Sequence, residues 1–137
     1  MYLLDTKICI YAINGRDPGL NQCLFSIPPY EIFVSAITVG ELEYGAAKSR
    51  WGARTRQVMH AFLANFSILP FTEEDAVLFG RLRAQLTAMG TPIGAYDVMI
   101  AAQGIARDLT VVSHNTKEFS RVPGIILEDW VSHNYGQ

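Results

Sequence analysis

Asp97-Val98-Met99-Ile100-Ala101-Ala102-Gln103-Gly104-Ile105-Ala106, followed shortly by Thr110-Val111-Val112-Ser113, decides the fold. The first segment is apolar almost all round, which predicts a buried helix over Tyr96–Arg107. The second is rich in β-branched residues and predicts a strand over Thr110–Ser113. The alternation extends outward in both directions. Tyr2–Leu4, Ile32–Ser35, Ser67–Phe71 and Ile125–Leu127 read as further strands. Thr6–Asn14, closed by Gly15, reads as a helix, as do Pro18–Ser26, Ile37–Ser49 and Ala53–Phe66. A longer helix starts from a Thr72 N-cap, carries acids in its first turn and runs to about Met89. Short apolar strands alternating with helices predict an α/β fold, with a mostly parallel five-stranded sheet covered on both faces.

The chain has 137 residues, half of them apolar, 18% charged, with a net charge of −2. That length fits one domain over 1–137, and that composition excludes a disordered chain. The breaks at Gly15–Gly19, Pro28–Tyr30, Gly90–Gly94 and Pro123–Gly124 are turn-sized. No apolar run approaches a membrane span and no secretory signal stands at Met1–Ile10. Cys9 and Cys23 sit in apolar surroundings and read as buried reduced thiols, consistent with a cytoplasmic protein.

The informative residues are acids in apolar company. Asp5 falls at the carboxyl end of the first strand and Asn115 just after the Thr110–Ser113 strand, where open α/β sheets bind ligands. Glu41 shares a helical stripe with Ile37, Tyr44 and Gly45, whereas Glu43 lies on another side and reads as solvated or salt-bridged. Asp97 lies along the stripe of Ile100, Ala101 and Gly104. Each has a plain alternative: Asp5 and Asp97 as helix caps, Glu41 as a salt-bridge partner, Asn115 as a turn residue. Three acids converging on one sheet edge favour a hard cation, Mg²⁺ or Mn²⁺, suited to orienting water against a phosphate. No P-loop, G-x-S-x-G or G-x-G-x-x-G occurs. His60 and His133 read as surface residues; His114, beside Asn115, is a candidate substrate contact.

Taken together these segments resemble PIN-domain ribonucleases, most closely the VapC toxins of bacterial type II toxin–antitoxin pairs. The resemblance rests on Leu4-Asp5-Thr6 with Ile8-Cys9-Ile10, Ser35-Ala36-Ile37-Thr38 leading to Glu41-Leu42, and Tyr44-Gly45-Ala46. It continues through Ile93-Gly94-Ala95-Tyr96-Asp97, Val112-Ser113-His114-Asn115-Thr116-Lys117-Glu118-Phe119 and Glu128-Asp129-Trp130. It implies Asp5, Glu41 and Asp97 as an acidic metal-binding core, completed by Asn115 and supported by the Thr6 hydroxyl. It further implies Mg²⁺-dependent cleavage of RNA, often of transfer RNA in the anticodon stem-loop, a homodimer, and a VapB-like antitoxin that blocks the site.

One position departs from the family pattern. Lys7 stands where an Asn is usual. A cation there has three possible roles: competing with the metal, turning outward, or reaching a substrate phosphate. It also raises the alternative of an impaired PIN domain that acts only by binding its antitoxin or RNA. Lys48, Arg50, Arg54 and Arg56, with Trp51 for stacking, form a basic strip that reads either as an RNA grip or as a solvated or antitoxin-facing surface. Two other classes fit poorly: dehalogenase-like phosphatases want an acid at position 7, and receiver domains want adjacent acids after the first strand.

Overall fold

The computed structural model describes residues 1–132, so His133 and the last four residues of the expected 1–137 unit lie outside the described residues. The five strands are β1 (Tyr2–Leu4), β2 (Ile32–Ser35), β3 (Ser67–Leu69), β4 (Thr110–Val112) and β5 (Leu127–Glu128). They form one sheet in the order β3-β2-β1-β4-β5, and every pairing is parallel. Helices α1 (Thr6–Asn14), α2 (Pro18–Ser26), α3 (Ala36–Lys48), α4 (Gly52–Leu63), α5 (Glu73–Ala88), α6 (Ala95–Ala106) and α7 (Thr116–Phe119) make the connections. A 3₁₀ turn at Pro29–Glu31 precedes β2.

The central strands β1, β2 and β4 are buried on both faces, and side chains alternate between them. Leu4, Val34 and Val112 enter one core with Ile8, Leu20, Leu24 and Phe62. Leu3 and Val111 enter the other with Leu82, Leu86, Ile100 and Phe119. Gly104 lets α6 lie directly on the sheet: a Cβ there would meet the Val111 side chain at 2.5 Å.

The differences from expectation are local. β3 ends at Leu69 because Pro70 has no N–H for the ladder, and as an edge strand it leaves Ile68 exposed. β5 lies slightly later than expected, Leu127–Glu128 rather than Ile125–Leu127. Cys9 is buried, but Cys23 is only half-buried; both are free thiols.

Two distant polar ties hold the frame. Asp17 caps α2 through Leu20 N–H (3.1 Å) and also accepts from Ser132 N–H at 2.8 Å, fastening the segment after β5 to the start of α2. Asp75 is fully buried at the start of α5, where it completes a capping box with Thr72. Arg107, just past α6, donates to both its carboxylate oxygens, and Gln103 Nε2 adds a third bond at 3.4 Å.

Candidate active site

The sheet winds outward in opposite directions from β1 and β4, so a crevice opens beyond their carboxyl ends. A cavity of about 380 Å³ occupies it, lined by Asp5, Thr6, Lys7, Ile10, Glu41, Gly94, Ala95, Tyr96, Asp97, Asn115 and Glu118. Other hollows on the surface are larger, but this one gathers the acids. All four residues that the acid pattern singled out, Asp5, Glu41, Asp97 and Asn115, therefore line one cavity, from the end of β1, α3, α6 and the β4–α7 turn.

Each plain alternative can now be weighed. Asp5 does cap α1, accepting from Ile8 N–H at 2.8 Å, and still faces the cavity. Asp97 caps nothing: the N-cap position of α6 is Gly94, which has no side chain to offer. Glu41 pairs with no cation among the described residues; its Oε1 accepts from the Thr6 hydroxyl at 2.6 Å, and Thr6 also meets Thr38 Oγ1 at 2.9 Å. Asn115 is the turn residue before α7, yet its side chain makes no cap and lines the cavity. Its backbone N–H donates to Ser113 Oγ at 2.9 Å, and the Ser113 side chain also hydrogen-bonds Asp5.

The electrostatics follow from this crowding. Burial pushes the Asp5 carboxyl up to about 6, with Asp97 adding to the rise; Ser113, the Ile8 N–H and Lys7 partly oppose it. Burial also raises Asp97, aided by Glu41 and Glu118 and opposed by Lys7. Lys7 thus attracts both carboxylates through space, but it forms no ion pair among the described residues. Glu118 is the wall residue that the acid pattern missed. It sits on a one-turn helix, where it reads as an ordinary surface acid, and only the fold turns it toward Asp97.

A buried carboxylate held above its ordinary value costs stability once ionised. Its contribution is fully favourable below the unfolded value near 4 and is lost as pH rises through about 6. Asp5→Asn keeps a capping oxygen, so the metal-free variant is expected to be more stable than the parent at pH 7 by up to ~2 kcal/mol. The advantage should vanish near pH 4. Chemical denaturation in chelator at the two pH values measures it.

Among the described residues no three acidic, His or Cys side chains stand close enough to enclose an ion outright. The donors are nonetheless all oxygen and unneutralised by any nearby ion pair. That suits Mg²⁺ or Mn²⁺, which keep several waters and need only a few direct carboxylates.

The basic strip is broken up. Arg56 is paired with Glu43 at 2.7 and 3.1 Å, and His60 joins the same carboxylate at 3.3 Å. Lys48 lies over the Tyr44 ring and Arg50 over Trp51. Arg54 lines a separate hollow with Trp51, Ile13 and Val58. None of these residues lines the acidic cavity.

A parallel sheet in this order with an acidic crevice at the winding reversal defines a class, and the sequence matches the PIN domain family over residues 2–125. The chain belongs to the PIN-domain family. The tRNA(fMet)-specific endonuclease VapC of Salmonella typhimurium is 38% identical over 129 residues, 94% of this chain and 97% of that protein. Ribonuclease VapC2 of Haemophilus influenzae is 40% identical over 130 residues, covering 95% and 98%. The crystal structure of VapBC2 from Rickettsia felis, bound to a DNA fragment from the promoter, superposes with a TM-score of 0.88 at 35% identity, covering 94% of this chain and 98% of that one. Within the family the chain therefore falls among the VapC ribonucleases.

Proposed function

We propose that this protein is the toxin of a type II toxin–antitoxin pair, a metal-dependent endoribonuclease that cuts transfer RNA, with the anticodon stem-loop as target. The observation that carries this reading is that Asp5, Glu41, Asp97 and Asn115 line one cavity. The near-full-length similarity to a tRNA(fMet)-specific endonuclease supports the substrate. Asp5, Glu41 and Asp97 would hold Mg²⁺ or Mn²⁺, with Asn115 beside them. When bound, the cation supplies charge neutralisation at the scissile phosphate and favours attack by water.

The chain's own residues prepare that event. Thr6, fixed by Thr38, holds one oxygen of Glu41 and leaves Oε2 without a hydrogen-bond partner among the described residues. Asp5 N–H donates to the Val112 carbonyl at 3.0 Å, so the ends of β1 and β4 keep a fixed separation. The carboxylates alone would repel RNA, so substrate and cation must enter together. Fragment mapping on tRNA(fMet), an elongator tRNA and 5S ribosomal RNA tests the target. Cuts confined to an anticodon stem-loop support it, and cuts only in 5S RNA refute it.

Neighbouring solved structures are VapBC complexes, some bound to DNA, which supports a VapB-like antitoxin as partner. A homodimer follows from the same resemblance, and light scattering that finds a monomer at high concentration would oppose it. Free thiols at Cys9 and Cys23 support a cytoplasmic setting, and no helix among the described residues is long and apolar enough to cross a membrane.

Lys7 favours a second reading, a site damped by its own cation so that binding outweighs cutting. Its pull on Asp5 and Asp97 opposes a divalent cation in the same cavity. Lys7→Asn is expected to tighten Mn²⁺ binding about fivefold and to raise cleavage at limiting metal. Calorimetric titration measures the first; unchanged affinity would acquit Lys7.

Of the basic strip, Glu43 already neutralises Arg56, whereas Lys48, Arg50 and Arg54 make no ion pair among the described residues and keep their charge for RNA. Arg54→Ala should flatten the salt dependence of RNA binding by about 0.7 in log–log slope, the share of one phosphate on a single strand. Arg56→Ala should change it less.

A further inference from the structure

Beside the acidic cavity stands an imidazole that the reaction so far does not use. His114 Nδ1 lies 3.0 Å from Asp129 Oδ2. Asp129 is itself anchored, because its Oδ1 accepts from Val131 N–H at 2.9 Å. The His114 ring also packs edge-on against Tyr11, with centroids 6.3 Å apart at 71°. Two independent contacts therefore fix an imidazole whose side chain is 43% exposed.

Its position gives this rigidity a use. Asn115, the next residue, lines the cavity, as does Ile10, which precedes Tyr11 on α1. Lys7 is one helical turn before Tyr11 and lines it too. The Tyr11–His114 contact thus adjoins the cavity's rim between α1 and the β4–α7 turn, although neither ring lines the cavity itself. A strand whose phosphate enters the cavity must cross a rim, and this one offers a cation, an aromatic ring and an imidazole in sequence. Because a carboxylate can only accept, Nδ1 is the donor in the Asp129 bond; in the neutral ring Nε2 then accepts, as from a ribose hydroxyl, and only the imidazolium can donate from Nε2 to a phosphate oxygen.

We infer that His114, held by Asp129, is a substrate-binding residue that contacts the RNA backbone next to the cut phosphate, through a ribose hydroxyl or a neighbouring phosphate oxygen. The inference rests on the ribonuclease reading and deepens it.

The test is the affinity of a fluorescent anticodon stem-loop RNA for the full chain in Mg²⁺. It is measured in an Asp97→Asn background to suppress cutting, with and without His114→Ala. The account predicts about fivefold weaker binding with little change in melting temperature. Asp129→Asn keeps an acceptor for Val131 N–H but presents an amide to Nδ1; it should weaken binding similarly without unfolding the protein. His114→Gln, which retains a polar edge, should recover part of the loss. A salt slope flattened by His114→Ala identifies a phosphate contact and an unchanged slope a ribose contact. Equal affinity with and without His114 overturns the inference and leaves the ribonuclease reading intact. Weaker binding matched by a large fall in melting temperature, with no recovery in His114→Gln, also overturns it, since the ring would then only pack. RNA binding by the parent without any cutting by the wild-type chain would sink the ribonuclease reading instead. No RNA binding by the parent together with no cutting by the wild-type chain would end both.

Discussion

Asp97→Asn should fold normally and lose cleavage by about 10²-fold or more. Asp97 caps no helix and makes no hydrogen bond among the described residues, so the isosteric amide removes no structural contact. Its charge stands near Glu41 and Glu118, so losing it relieves repulsion rather than creating it. The same charge is what a cation and an incoming phosphate need at that wall. Melting temperature should hold or rise, Mn²⁺ affinity should fall, and RNA cutting should drop. A variant that still cuts at the parental rate would remove Asp97 from the site.

The second large effect lies away from the cavity. Arg107→Ala should destabilise the protein by ~3–5 kcal/mol, because it leaves the Asp75 carboxylate buried without its cation. Burial alone would push Asp75 up, but the Arg107 guanidinium and the Thr72 backbone and hydroxyl outweigh it, and the net shift is downward. Stability from this group is therefore present above the ordinary carboxylate value near 4 and is lost as pH falls below it. Asp75→Asn together with Arg107→Ala should recover part of the loss, since the stranded charge is gone. Urea denaturation at pH 7 and about pH 3 measures the cycle. A cost under 1 kcal/mol for Arg107→Ala would show that water already satisfies Asp75.

The Asp75–Arg107 pair also shows where reading the sequence stops. Asp75 stands in the first turn of α5, where an acid reads as a helix-dipole partner, and Arg107 at the end of α6 reads as a surface cation. Only the packing of α5 on α6, 32 residues apart in sequence, joins them. The same limit hid Glu118 and the Glu43 clamp on Arg56, because each depends on a partner that no local periodicity reveals. Asp5, Glu41, Asp97 and Asn115 were legible for the opposite reason. Their positions at strand ends or on apolar stripes conflict with local preference, and such conflicts concentrate at functional sites. The sheet itself was legible as alternating segments. Its order was not, since β1 pairs with both β2 and β4 through contacts distant in sequence.

Lys7 ties the two levels together. In the sequence it is a single departure from a family pattern; in the fold it is a cation on the wall of an acidic cavity. A tethered charge that weakens metal binding would make cutting depend steeply on free Mg²⁺. The Lys7→Asn titration and the Asp5→Asn stability comparison probe that balance from opposite sides: one removes a competitor of the metal, the other a ligand.

The measurement that bears most directly on the central claim is a denaturing gel of total transfer RNA incubated with the purified wild-type chain, with Mg²⁺, with Mn²⁺ and with chelator. The account predicts discrete fragments with either cation and intact RNA in chelator. Fragments that persist unchanged in chelator, or intact RNA at every cation concentration for both the wild type and Lys7→Asn, would contradict it.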